Sequence, residues 1–190
     1  MEIKSIFRSP PQLHTDRLTL RKLIPRDKAD MFEYARDPEV TKFLTWRPHA
    51  SESYTNSYLI YVQSQYRAKK FFDWAVTCTE SGKMIGTCGF TRLDEVNLCG
   101  EVGYVISPLY QNRGIATEAL REVIRFGFEE LSLERIEARY MIGNDASRAV
   151  MEKCGMSFEG VLRQCLYTNE RFVDVGICSI LRSEHFREIK

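Results

Sequence analysis

The sequence predicts a mixed α/β fold in which one central sheet carries helices on both faces. Three observations lead there. Strand-like and helix-like stretches interleave along the chain instead of separating into blocks. Residues 71–79 and 84–93 flank the turn Glu80-Ser81-Gly82-Lys83, which makes a hairpin and therefore antiparallel pairing. No repeat, low-complexity run or Gly/Ser/Pro linker divides the 190 residues, so one domain spanning 1–190 is expected, with its core at about 13–182.

The elements follow in order. Residues 17–23 form the first strand, with Leu18 and Leu20 alternating against Thr19 and Arg21. Pro25 suits a first helical turn, so a helix runs over 26–36, carries Met31, Phe32 and Ala35 on one side, and is ended by Pro38. Residues 45–51 form a loop. Ser51 and Ser53 are N-cap candidates for a helix reaching about residue 69, whose basic end suits a helix C-terminus. After the hairpin, residues 100–107 form a strand closed by Pro108. The longest helix spans 112–131, with Ala116, Leu120, Val123, Ile124, Gly127, Phe128 and Leu131 at helical spacing. A strand at 133–140, a helix at 145–154 stopped by Gly155, and strands at 157–164 and 172–181 complete a sheet of about seven strands.

Composition narrows the function classes. A net charge of +1 gives no field for general nucleic-acid or membrane-surface binding. The first twenty residues lack the apolar core and cleavage site of a signal peptide, and no apolar run is long enough to span a bilayer. A cytoplasmic location is expected. The six cysteines never form a C-x-x-C pair and sit in apolar stretches, so reduced, mostly buried thiols are expected. His14, His49 and His185 stand apart from one another and from ligand-spaced partners, so no metal site is expected.

The chemistry concentrates between Glu101 and Gly155. A strand runs through Pro108 into Gln111-Asn112-Arg113-Gly114-Ile115-Ala116-Thr117, which opens the long helix. A helix start offers unpaired N–H groups and positive dipole character, which together bind phosphate. Gly114 removes a Cβ where a ligand must approach the backbone. Ala116 keeps the first turn narrow, Arg113 offers charge to phosphate oxygens, and Thr117 a hydroxyl. Neither a P-loop Gly-Lys-Ser/Thr nor a three-glycine dinucleotide fingerprint is present. By itself the turn is also readable as a plain strand–helix connection.

Gln111-x-x-Gly114-x-Ala116 resembles the pyrophosphate loop of the GNAT acetyltransferases, which in that family follows the fourth strand and precedes the long third helix. Asn144-Asp145-Ala146-Ser147, followed by Lys153-Cys154-Gly155-Met156, resembles the family's second signature. Thr15-Asp16-Arg17-Leu18-Thr19-Leu20-Arg21 is similar to the opening of the Rim-type branch, the ribosomal-protein N-acetyltransferases and their relatives, as are Glu159-Gly160-Val161-Leu162-Arg163 and Asp174-Val175. The resemblance implies a mostly antiparallel sheet with one splayed parallel pair, here residues 101–106 and 135–140. It implies acetyl-CoA as co-substrate, without a metal. The pantetheine arm would lie beside Val105 and Ile106, the pyrophosphate on Gln111, Asn112, Arg113, Gly114, Ile115, Ala116 and Thr117, and Asn144, Ser147 and Lys153 on the cofactor's other side.

The implied reaction is direct attack of a primary amine, a protein N-terminus or a small molecule, on the thioester. Such amines have pKa values of about 8 to 10.4, so a proton must leave first. Ser147 is the candidate proton donor or positioner for the departing thiolate. Rim-type enzymes carry a glutamate where this chain has Leu166, so Glu101 on the cleft strand is the candidate base, with an edge or salt-bridge role as its structural alternative. Tyr104 reads as core before proton donor, the tyrosines at 54, 58, 61 and 66 as packing and helix surface, and Cys154 as buried. Trp46 and Arg47 lie in the loop that borders the acceptor in similar proteins. The resemblance also allows a homodimer through terminal strands. The alternative function is a non-catalytic acyl-CoA-binding sensor, for which the loss of the glutamate at Leu166 is the support; a third is a phosphate-binding domain unrelated to CoA.

Overall fold

A computed structural model describes residues 10–70 and 72–187. The first nine residues, read above for a leader, lie outside this range, as does Phe71, expected to open a strand. The order is β1 (Leu13–His14), β2 (Leu18–Arg21), a 3-10 turn (Pro25–Asp27), α1 (Lys28–Ala35), α2 (Pro38–Thr41), α3 (Glu52–Arg67), β3 (Phe72–Cys78), β4 (Met84–Asp94) and β5 (Cys99–Ile106). A second 3-10 turn (Pro108–Tyr110) leads to α4 (Ile115–Glu129), β6 (Arg135–Met141), α5 (Asp145–Lys153), β7 (Ser157–Thr168), β8 (Arg171–Leu181) and α6 (Arg182–His185).

The strands form one eight-stranded sheet in the order β1-β2-β3-β4-β5-β6-β8-β7. Among the described residues, only β5 and β6 run parallel. The eighth strand, beyond the seven expected, is two-residue β1, too short to show periodicity. Pro38 does not simply end a helix. Asp37 accepts a hydrogen bond from the Glu39 amide at 2.9 Å, and Pro38 then begins α2. The long helix starts at Ile115, not at residue 112, because Asn112 (φ 57°) and Gly114 (φ 77°) adopt left-handed conformations that a helix excludes. Ser51 caps α3, its hydroxyl accepting from the Tyr54 amide at 3.1 Å.

Alternation along the strands splits the core between two faces. Trp74, Val76, Cys88, Phe90, Val102 and Ile106 pack with the α4 residues Ala119, Leu120, Val123, Ile124 and Phe128. Ala75 and Met84 pack on the other face with Met31, Tyr34 and Ala35 of α1 and Leu59, Val62 and Tyr66 of α3. Burying a side chain of this size contributes about 1.5–3 kcal/mol, so both faces are firmly covered and the sheet between them is a rigid base for the site. Among the described residues, no helix is long and apolar enough to cross a membrane.

Candidate active site

Parallel pairing between β5 and β6 runs from Cys99↔Arg135 to Val102↔Ala138 and stops there. Beyond that point β5 keeps its bonds to β4 out to Ile106↔Gly86, and β6 keeps its bonds to β8 out to Met141↔Val175. The strands therefore part, and the side of β5 that faces β6 has no strand partner over Gly103, Tyr104, Val105 and Ile106. Unpaired backbone of this kind can receive an extended amide-bearing chain as a strand would.

A cleft of about 520 Å³ occupies the gap. It is lined by Val105, Ile106, Gln111, Asn112, Gly114, Ile115, Ala116 and Thr117 on one side, and by Asn144, Ser147 and Lys153 on the other. The loop is held in place from within. The Gln111 amide donates to the Ile106 carbonyl at 2.9 Å. Arg17 donates through Nη1 to the Arg113 carbonyl at 3.0 Å, and through Nε to Glu118 in the first turn of α4 at 2.7 Å. Among the described residues, no side chain caps the start of α4 at Gly114, so its first-turn amides are open to a ligand. Asn144 caps α5 by accepting from the Ser147 amide at 3.2 Å, which fixes Ser147 in the first turn. Arg113 is the exception among the expected residues: its guanidinium lies over the Tyr110 ring, 5.7 Å from the centroid, outside the cleft lining.

A second cleft of about 660 Å³ lies on the α1/α3 face. The two share Phe43, Leu44, Tyr104, Val105, Asn144 and Ser147. At this junction the Tyr104 hydroxyl donates to the Ser147 carbonyl at 2.8 Å and lies 2.9 Å from Ser147 Oγ. Burial pushes the Tyr104 phenol well above its ordinary pKa, so it stays protonated through neutral pH.

Glu101 lines the second cleft and is already engaged. Its Oε2 meets Arg139 Nε at 3.2 Å, and Oε1 accepts from the Thr91 hydroxyl at 3.1 Å. Trp46 and Leu166 also line it. Arg47 does not: it is exposed and paired at 3.4 Å with exposed Glu170. The α3 tyrosines divide. Tyr66 is buried and Tyr61 exposed, whereas Tyr54 and Tyr58 face the cleft around His49, with ring centroids 5.0 and 5.9 Å from the imidazole. Burial lowers the His49 pKa, and its Nδ1 is bonded to the Thr55 hydroxyl at 2.8 Å. Cys154 is buried and its thiol is pushed up to about 12, which leaves no thiolate at neutral pH.

Sequence reading passed over Asp73. It lines the second cleft from β3, and burial pushes its carboxyl up to about 7 against the pull of the Trp74 amide and the Thr87 hydroxyl. The signal was present: a lone acid in the apolar run Phe71-Phe72-Asp73-Trp74-Ala75-Val76.

The chain matches the family model described as an acetyltransferase (GNAT) domain over residues 17–157. It is 33% identical over 172 residues to the uncharacterized N-acetyltransferase YoaA of Bacillus subtilis, covering 90% of this chain and 97% of that protein. Over 95 residues it is 28% identical to the ribosomal-protein-serine acetyltransferase of Escherichia coli, covering 50% of this chain and 53% of that one. A GNAT-family acetyltransferase structure from Bacillus anthracis superposes with a TM-score of 0.81 at 27% identity, covering 91% of this chain and 99% of that chain. With the parted strands and the loop between them on the same pattern, the chain belongs to the GNAT acetyltransferase family.

Proposed function

We propose that this acetyltransferase carries out direct transfer from acetyl-CoA to a primary amine in a ternary complex. The observation that carries the reading is the meeting of two clefts at the Tyr104–Ser147 pair. One has the backbone features of a nucleotide-thioester site, and the other is walled by aromatic rings and carboxylates. Two reactants entering from opposite sides of the sheet would meet there, which makes the transfer effectively intramolecular.

Acetyl-CoA supplies the activated acetyl group and a thiolate leaving group. The chain supplies the rest. The α4 amides around Gly114, Ile115 and Ala116 hold the pyrophosphate, and the free edge of β5 at Val105 and Ile106 holds the pantetheine amides. A free β5 amide donates to the oxyanion as it develops. Tyr104, protonated at neutral pH, turns its O–H from the Ser147 carbonyl to the departing thiolate and takes back the second proton of the acceptor nitrogen as the amide forms, and Ser147 positions that hydroxyl. Glu101, aimed by Arg139 and Thr91, takes the proton of the acceptor ammonium directly or through water. Trp46 shapes the acceptor wall. A peptide N-terminus and a free amine both satisfy this chemistry.

The test is calorimetric titration with acetyl-CoA and CoA, followed by thiol release on a panel of amines and N-terminal peptides. Micromolar binding with acceptor-dependent release is expected. Tight binding with no release on any acceptor would instead support an acyl-CoA sensor, and absence of binding would overturn the cleft assignment.

A further inference from the structure

The far end of the acceptor cleft, away from the Tyr104–Ser147 junction, has an organisation that acetyl transfer alone does not require. Asp73, Gly89 and Gly103 stand in register across β3, β4 and β5. Neighbouring strands are about 4.8 Å apart, so Asp73 lies roughly 10 Å across the sheet from β5. Neither glycine puts a side chain between them. This span is too long for Asp73 to touch an amine attacking a thioester on β5, and it fits an acceptor lying across the sheet.

What surrounds Asp73 is matched to a cation. Tyr34, from α1, is 2% exposed and lines the cleft, yet its hydroxyl has no hydrogen-bond partner among the described residues. A buried unpaired hydroxyl is costly, and a ligand that bonds it relieves that cost. Tyr58, from α3, adds an aromatic face, and the Asp73 charge acts on both phenols. The other titratable neighbours leave Asp73 unanswered. Tyr66 and Cys88 are neutral because burial raises them, burial lowers His49, and Arg139 is already shared between Glu101 and Glu137. Lys70 stands at the rim, exposed to solvent.

We propose that Asp73, Tyr34 and Tyr58 form an anchoring subsite for a second, non-reacting ammonium of the acceptor, so that this enzyme takes diamine-like substrates whose two amines are separated by the width of the sheet floor. The second ammonium donates to the Asp73 carboxylate and to the Tyr34 phenolic oxygen, over the Tyr58 ring. The first then sits at the junction, on the side that opens into the cleft lined by Glu101. The inference rests on the amine-acetylation reading above. Because Asp73 ionises with difficulty when alone, a bound cation draws off its proton. Binding below about pH 7 therefore releases a proton, and affinity rises as pH increases through that value.

The experiment uses the full chain, with propane-, butane- and hexanediamine against the matched monoamines, reading kcat and KM separately. CoA affinity serves as the folding check for Asp73→Asn and Tyr34→Phe. In the unaltered protein one diamine length should show a KM about tenfold below its monoamine, equivalent to about 1.4 kcal/mol. Asp73→Asn should collapse that ratio to near one, and Tyr34→Phe should reduce it. Calorimetry of the same diamines into the enzyme–CoA complex, in buffers of differing ionisation enthalpy, should show Asp73-dependent proton release. This measurement decides the question even if turnover is absent. Monoamines and diamines with equal KM, or no diamine binding to the CoA complex, would overturn the subsite while leaving amine acetylation intact. A uniform loss of kcat in Asp73→Asn on every amine, with loss of the neutral-pH limb, would overturn it in favour of Asp73 as proton acceptor.

Discussion

The two clefts that meet at Tyr104 and Ser147 are built by different means. The proposed cofactor cleft is lined mainly by two short stretches of chain, the end of β5 running into α4 and the turn into α5, with Glu39, Val40, Phe43 and Leu44 closing it from α2 and the loop after it. Its shape is set by left-handed residues and helix starts: Asn112 and Gly114 turn the chain, Gln111 clamps the loop to Ile106, and Asn144 caps α5. The acceptor cleft is made of side chains from widely separated places, among them Tyr34, Trp46, His49, Tyr58, Asp73, Glu101 and Leu166. Backbone binding sites demand particular residue types at fixed local spacing. Side-chain sites demand only that distant residues converge.

The largest expected effect breaks the cofactor side. Gly114 sits at φ 77°, with nothing closer to its missing Cβ than Arg17 Nη2 at 3.5 Å. Space within the protein is therefore not what requires glycine; the left-handed backbone conformation is, and the proposed pyrophosphate contact adds close ligand approach. Gly114→Glu imposes strain and puts a negative charge at the helix start. CoA affinity should fall by roughly 100-fold or more. Calorimetry checks this, and affinity within a few-fold of the unaltered protein would remove the loop as the pyrophosphate site.

The junction comes next. Tyr104→Phe keeps the ring and removes the buried hydroxyl, so turnover should drop by roughly 100-fold while CoA affinity holds. Ser147→Ala removes a positioning contact and should cost less. Equal losses in turnover and affinity for Tyr104→Phe would mean that the phenol serves cofactor binding, not proton transfer.

A smaller effect separates the two sides by pH. The ordinary carboxyl pKa of Asp73 is raised to about 7 in the fold, so between roughly pH 4 and 7 the folded state holds a proton that the unfolded state has lost. Stability contributed by this site therefore falls as pH rises across that window and is lowest above it. Asp73→Asn, which can still accept from the Trp74 amide, should melt about 3 °C higher at pH 8, as about 1 kcal/mol gives in a domain of this size. The gain should shrink as pH falls through the window and vanish near pH 4, where the unfolded carboxyl is protonated as well. A constant difference at both values would show that Asp73 is not titrating in this range.

This contrast also explains what could be read from the sequence. Seven strands and the main helices follow from periodicity and turn residues, because those constraints are local. That Gln111, Asn112, Gly114, Ile115, Ala116 and Thr117 line one cleft with Asn144 and Ser147 could be expected for the same reason, whereas the turning of Arg113 out of that lining onto Tyr110 could not. Two-residue β1 and four-residue α2 were too short to carry a period. Asp73 stood out only as a charge in an apolar strand. Nothing local says that Tyr34, from another helix, reaches the same cleft with its hydroxyl unpaired. Glu101 could be placed on the acceptor face by alternation, but its partners Arg139 and Thr91 are visible only in three dimensions.

The smallest expected effect sharpens the acceptor boundary, where adjacent residues divide. Trp46 turns inward, its ring 5.2 Å from His49 and packed against the α1/α3 core. Arg47 turns outward to Glu170, in an ion pair whose side chains are 75% and 83% exposed. Exposed pairs contribute little because water and salt screen them and two long side chains must be ordered. Arg47→Ala should therefore leave KM for small amines within about twofold and stability within about 0.5 kcal/mol. Trp46→Ala should disturb both. If Arg47→Ala instead raises KM selectively for peptide acceptors, the acceptor surface extends past Trp46 to the β7–β8 turn at Glu170, and small diamines would occupy only its inner part.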